Sequence, residues 1–176
     1  MSFGSIKRMH DRMNFDGGFK LEKITETNGK RLIYTVNETM MRIELPKALK
    51  KGQSFSFEIK YQYNINDRLK LGGRSGYEYF EKDKNSIYTI AQFFPRMAVY
   101  NEVEGWQNKQ FIGSGEFTLP FGDYKVSITV PNDHIVAATG ELKNYTSVLS
   151  KKQIQRLDKA KNNYSDPEII VTQEEA

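Results

Sequence analysis

Two histidines, His10 and His134, are the chain's only imidazoles, and it has no cysteine. They lie 124 positions apart, and neither has a His or Glu partner at helical spacing. A catalytic zinc site takes three His, Asp, Glu or Cys ligands and keeps one position open. With no His-Glu-x-x-His segment, the sequence offers no such set. His134 follows Pro131-Asn132-Asp133 and reads as a turn residue. Nucleophile motifs are also missing. Gly113-Ser114-Gly115 lacks the flanking spacing and the strand-to-helix setting of a nucleophile elbow. Gly72-Gly73-Arg74-Ser75-Gly76 is rich in glycine but lacks the Gly-Lys-Ser/Thr ending that cradles a phosphate. It reads as a flexible turn; the alternative is a contact to a partner domain through backbone amides or Arg74.

Three carboxylates, Glu102, Glu104 and Glu116, could form the pair a glycosidase needs, although solvated loop carboxylates are the commoner case. Trp106, Tyr100 and Phe111 are aromatic residues of the kind that stack on sugars or anchor interfaces. The chemistry within reach of these residues is recognition rather than bond breaking.

The elements that must hold them are strands. Phe55, Phe57, Ile59, Tyr61 and Tyr63 alternate with Ser54, Ser56, Glu58, Lys60 and Gln62, the period of a half-buried strand. Met41, Ile43 and Leu45 repeat the pattern up to Pro46, and Tyr124, Val126, Ile128 and Val130 repeat it again. Asn28-Gly29 between two β-patterned runs, FKLEKITET and KRLIYTV, predicts a hairpin. Further strands are expected over 86–94, 134–139 and 169–172, with a loop over 64–85 and a long irregular stretch over 96–115. One helix is expected over 151–161. Ser150 and Gln153 form a capping box, and Ile154, Leu157 and Ala160 share a face. Residues 1–18 read as a linker or loop, and residues 19–176 as one β-rich domain. The fold class is all-β, a two-sheet β-sandwich with one C-terminal helix.

Composition agrees with a folded chain of one-domain length. Of the 176 residues, 38% are hydrophobic, and ten Tyr and eleven Phe favour strands over disorder. The net charge is +4, but Lys and Arg are interleaved with Asp and Glu. That spread argues against a nucleic-acid partner, which needs its charge on one face. No apolar run approaches the length of a membrane span, and the first 18 residues lack a secretory apolar core.

One stretch is informative beyond its periodicity. Gly105-Trp106, Gly115-Glu116-Phe117, Gly122-Asp123-Tyr124, Val130-Pro131 and Ala137-Ala138-Thr139-Gly140-Glu141-Leu142 follow one another in a fixed order. With Gly72-Gly73-Arg74 and Leu45-Pro46 upstream, this order resembles the N-terminal domain of the aminopeptidase N and leukotriene A hydrolase family of zinc metallopeptidases, in its bacterial branch. The resemblance covers about residues 40–160. It implies a saddle-shaped β-domain, here lacking its first strands, packed against a catalytic domain of the same parent polypeptide. Zinc and the groups that break bonds belong to that neighbour. This chain itself is expected to carry no cofactor and no catalytic residue. The resemblance also implies that Gln92 helps to hold the free amino end of a peptide substrate, an ammonium donating to the amide oxygen. Phe94 stands where the family often has Glu or Gln, which points to an altered specificity. The parent is expected to be extracytoplasmic or periplasmic, and the isolated chain to self-associate through unpaired edges. Two other readings stay open. One is a free-standing β-sandwich module that binds carbohydrate or protein through Trp106, Tyr100 and Phe111. The other is a hydrolase built on Glu102 and Glu116.

Overall fold

The computed structural model of the protein describes residues 3–111 and 118–175. The chain divides into two compact units, Met1–Gly122 and Asp123–Ala176. The first contains two helices and eight short strands among its described residues.

Alternation builds the first unit's best-formed ladder. Strand β1 (Lys20–Glu26) pairs antiparallel with β4 (Phe57–Gln62), so that Ile24 faces Ile59 and Leu21 faces Tyr61. All five residues from Phe55 to Tyr63 that were expected to face inward are half-buried, and the four between them are exposed, as is Ser54 before them. The register slips between Leu21 and Lys23, a bulge that leaves Glu22 to reach the Lys60 ammonium at 2.6 Å. Ile24 and Leu32 are buried to 3% and 6% exposure, and Thr25 is buried beside them. Burying one such aliphatic side chain contributes about 1.5–3 kcal/mol, so this small cluster is the main apolar anchor of the unit.

The Asn28-Gly29 turn forms, but it does not join two long paired strands. The Gly29 amide donates to the Glu26 carbonyl, the Glu26 amide donates to Lys30, and Gly29 adopts φ 87°. This is a three-residue loop with glycine in the left-handed position. Beyond a bridge from Thr25 to Arg31, the two runs part. The second run becomes β2 (Ile33–Asn37), which pairs with β3 (Met40–Glu44) instead. β4 takes the other edge of β1, since Thr25 pairs with Glu58 and bridges Arg31 as well.

Several expectations are corrected in this unit. Residues Phe3–Met13 form helix α1 where a linker or loop was expected. Phe3, Ile6, Met9 and Met13 recur at three- and four-residue spacing, a helical stripe that glycines and charges obscure. The 64–85 loop also contains structure. Asp67 caps the short helix α2 (Arg68–Leu71), and β5 (Gly76–Phe80) pairs with β6 (Asn85–Thr89). Strand character therefore ends at Thr89, and residues 90–94 are irregular. A two-residue ladder, β7 (Tyr100–Asn101) with β8 (Gly105–Trp106), completes the unit. The described residues thus form four separate two-stranded antiparallel ladders rather than two larger sheets.

The second unit is helical where it is regular. Helix α3 (Tyr145–Val148) precedes α4 (Lys151–Asn162), which starts at the expected capping box: Ser150 Oγ accepts from the Gln153 amide, and the Gln153 side chain accepts from the Ser150 amide. Ile154, Leu157 and Ala160 lie on its half-buried face, as their spacing predicts. The strands expected over 124–130, 134–139 and 169–172 do not form. The first two segments run without a ladder partner among the described residues, and a 3₁₀ turn at Gln173–Glu175 follows the third. Alternation prepares one face for burial, but a strand also needs a neighbour to satisfy its backbone.

Candidate functional site

Gln92 lies on the irregular stretch between β6 and β7, and its backbone is unusual. It adopts φ 53°, one of three non-glycine residues with positive φ among those described. Such a conformation costs on the order of 1–3 kcal/mol and persists when the neighbours over-determine it. They do so here from both sides. Ser75 Oγ donates to the Ala91 carbonyl and accepts from the Ala91 amide, both at 3.1 Å. On the other side, the Tyr61 hydroxyl donates to the Phe93 carbonyl at 2.8 Å. Burial, with the Tyr63 phenol as a second cause, raises the Tyr61 pKa above its ordinary value, so the hydroxyl keeps its proton and remains a donor. Gln92 is exposed between these clamps, and the rings of the next two residues, Phe93 and Phe94, meet edge to face at 5.0 Å.

Ser75 belongs to the glycine-rich loop, so the loop that carries Arg74 and the segment that carries Gln92 are neighbours. The loop is positioned by helices. Arg12 of α1 donates through Nε to the Leu71 carbonyl at 2.8 Å and closes the end of α2. At the other end of α2, the Asp67 carboxylate accepts from the Leu69 and Lys70 amides. The Lys70 ammonium bonded to it is the first cause of a pKa below the carboxylate norm. Gly76 then lets the chain pass. It adopts φ 146°, and a Cβ there would meet the Asn66 carbonyl oxygen at 2.6 Å. Arg74 itself is exposed.

Tyr100 and Trp106 form a second cluster. They are cross-strand partners of the β7–β8 ladder, with ring centroids 5.3 Å apart at 74°. Both are open to solvent, at 63% and 54% exposure. The intervening turn is held by Asn101 Oδ1, which accepts from the amides of Val103 and Glu104. The stretch after β8 is tied down by Gln110. Its oxygen accepts from the Thr39 amide and hydroxyl, and its nitrogen donates to the Asn37 carbonyl, which closes the β2–β3 turn.

Glu104 does not have the setting of a general acid. Glu104 pairs with Lys109 at 2.9 Å, and the hydrogen bond from that ammonium lowers its pKa. A proton donor at neutral pH needs a raised one. Glu116, Gly113-Ser114-Gly115 and Gly115-Glu116-Phe117 lie outside the described residues. His10 contacts Asn14, and His134 contacts Asp133 at 2.8 Å. Among the described residues, no three His, Cys, Asp or Glu side chains come together in a group that could hold a metal.

Comparison with family models, with curated proteins and with solved structures finds no match for this chain. What can be assigned therefore rests on the residues themselves. The structure brings Gln92 and the Arg74 loop together, and it brings Tyr100 and Trp106 together. Sequence reasoning missed the residues that position Gln92, namely Ser75 and Tyr61. The Gly-Gly-x-Ser-Gly run was the available signal, since a serine between flexible glycines is free to bond a passing backbone.

Proposed function

We propose that this chain is the non-catalytic N-terminal β-domain of a zinc-dependent aminopeptidase. It packs, as a sandwich or saddle-like sheet, on the catalytic domain of the same polypeptide. It offers Gln92 to the free amino end of a peptide substrate. The observation that carries the reading is the conformation of Gln92. A strained, exposed amide, clamped on one side by Ser75 and on the other by Tyr61, is arranged to present its side chain rather than to pack it. An amide oxygen accepts from an ammonium without needing a counter-charge, which suits a neutral pocket wall. Arg74, on the neighbouring loop, is suited to the interface with the catalytic domain. The described residues of this chain do not fit a zinc centre; in this reading the metal would be held by the other domain.

The test is a titration of isotopically labelled chain with leucine amide and with N-acetyl-leucine amide. The Gln92 side-chain resonance should shift with the free amine only, and the effect should vanish in Gln92→Ala. Equal shifts with both ligands, or none with either, would sink the reading. Stoichiometric zinc retained by the purified chain would do the same.

A second reading is favoured by the exposed Tyr100–Trp106 pair, a binding module that stacks a sugar ring or a partner's side chain. Trp106 is the only tryptophan, so its fluorescence reports on that face alone. Saturable quenching by an oligosaccharide, lost in Tyr100→Ala, would favour this module over the peptidase domain.

A further inference from the structure

Helix α1 is docked by its polar side. Arg12 donates through Nε to the Leu71 carbonyl at 2.8 Å, and Asp11 beside it is half-buried. At 3.6 residues per turn, Phe3, Ile6, Met9 and Met13 fall within an arc of about 120° on the opposite side. That arc faces solvent. Phe3 and Met13 are 84% and 79% exposed, and Ile6 and Met9 are about half exposed. A surface helix ordinarily turns its apolar stripe to the core and its charges to water. This one is reversed, and it leaves apolar area of the kind that marks a docking surface.

Charge and size select the occupant. The helix carries Lys7, Arg8 and Arg12 against Asp11, a net charge of +2 with His10 neutral. Two copies packed stripe to stripe would bring like-charged helices together. The stripe is also small. At these exposures, and at about 250 Å² for a fully exposed large side chain, the four present less than the roughly 800 Å² that each partner of a stable protein pair commits. Entry into a lipid boundary has no such threshold. It grows with the apolar area buried and with attraction to anionic headgroups. Lys7 is exposed and lies four residues after Phe3, hence beside it on the helix. A lysine there runs its stem along the apolar edge and keeps its ammonium at headgroup level. The helix rises only about 16 Å, half the hydrocarbon thickness of about 30 Å, so it lies along a bilayer rather than through it. No helix among the described residues is long and apolar enough to cross a membrane.

We propose that α1 is a membrane-surface anchor, on which Phe3, Ile6, Met9 and Met13 enter the boundary of an anionic lipid leaflet while Lys7 binds its headgroups. The contact is reversible, since one short helix buries little apolar area. The proposal is independent of the role given to Gln92.

The test is co-flotation of the full chain with vesicles of phosphatidylcholine alone and of phosphatidylcholine mixed with phosphatidylglycerol. Partition into the mixed vesicles should exceed partition into the neutral ones by at least about tenfold, and added salt should reduce it. The double variant Phe3→Ser with Met13→Ser should lower partition about tenfold with unchanged circular dichroism, because both side chains are exposed. Lys7→Glu should lower partition into the mixed vesicles about tenfold and leave the neutral ones unchanged. No flotation with the mixed vesicles overturns the proposal, and so does equal partition into both kinds. Lipid binding that survives the double variant overturns it too, since the lipid then meets another part of the chain. A lipid-free dimer that dissociates in the double variant would give the stripe to a second copy and overturn it as well.

Discussion

Phe57–Gln62 and Tyr124–Val130 are written in the same alternation of apolar and polar residues, yet the first is laddered and the second is not. The first meets β1, whose Ile24 and Thr25 close over it. The second joins no ladder among the described residues. A period of two therefore states which side chains want to be covered, but it does not say by what. The partner is chosen by distant residues whose own faces match.

The comparison breaks most sharply at the buried positions. Ile24→Ala removes the centre of the β1–β4 cluster and should destabilise the first unit by about 2–4 kcal/mol, read as a shift in the denaturation midpoint. Ile128→Ala, the same kind of truncation in the other run, should change the stability of dilute chain by less than about 0.5 kcal/mol. Equal effects would mean that the two runs are equally packed, and the contrast would be lost.

A smaller effect is expected one residue along. Thr25 is buried, and its Oγ1 has no hydrogen-bond partner. A buried hydroxyl left unpaired costs about 1–3 kcal/mol, and valine keeps the branched shape that strands favour. Thr25→Val should therefore raise stability, by about 1 kcal/mol. A loss in thermal melting would show that the hydroxyl is satisfied in solution.

Smaller again is the effect at the β2–β3 turn, where one distant side chain stands in for an absent strand. Gln110 makes its three bonds to Asn37 and Thr39, residues over 70 positions away in sequence. Gln110→Ala should cost about 1 kcal/mol locally, seen as faster amide exchange at Thr39 with the β1–β4 amides unchanged. Uniform acceleration across both ladders would instead make the turn part of one cooperative unit.

What could be read from the sequence divides along the same line. Signals confined to a few neighbouring residues carried through. The Ser150–Gln153 box begins α4, Ile154, Leu157 and Ala160 share its half-buried face, and the alternation from Phe55 to Tyr63 is observed side chain by side chain. What failed needed a partner. The Asn28-Gly29 turn was legible, but the strand after it chose β3, and the 124–130 run joins no ladder among the described residues. Helix α1 was missed because its apolar stripe is broken by charges, and β5 because it lies in a loop-like composition. At the candidate site, Gln92, Arg74, Tyr100 and Trp106 could be named in advance. The clamp from Ser75 and Tyr61 could not, since it joins residues 16 and 32 positions apart through backbone carbonyls that every sequence possesses.

The second unit, which lacks ladders, depends instead on charge, and that sets its response to pH. Arg156 of α4 donates to the Ile170 carbonyl at 3.1 Å and to the Glu175 carboxylate, and so ties the chain's last turn to the helix. The bond from the Arg156 guanidinium is the first cause that holds the Glu175 pKa below its ordinary 4.5, with the Thr172 amide the second. A carboxylate whose folded pKa is depressed stabilises the folded form above its unfolded pKa, and the contribution fades as pH falls through the folded value. Acid should therefore release the tail from α4 while the β1–β4 ladder, closed by burial, remains. In a titration between roughly pH 6 and 3, the Thr172 amide resonance should move and the Ile24 amide should not. Glu175→Gln should remove most of the Thr172 response, because the remaining amide oxygen accepts from Arg156 without titrating. If the Ile24 and Thr172 signals move together, the two units lose structure as one, and the distinction between burial and charge fails.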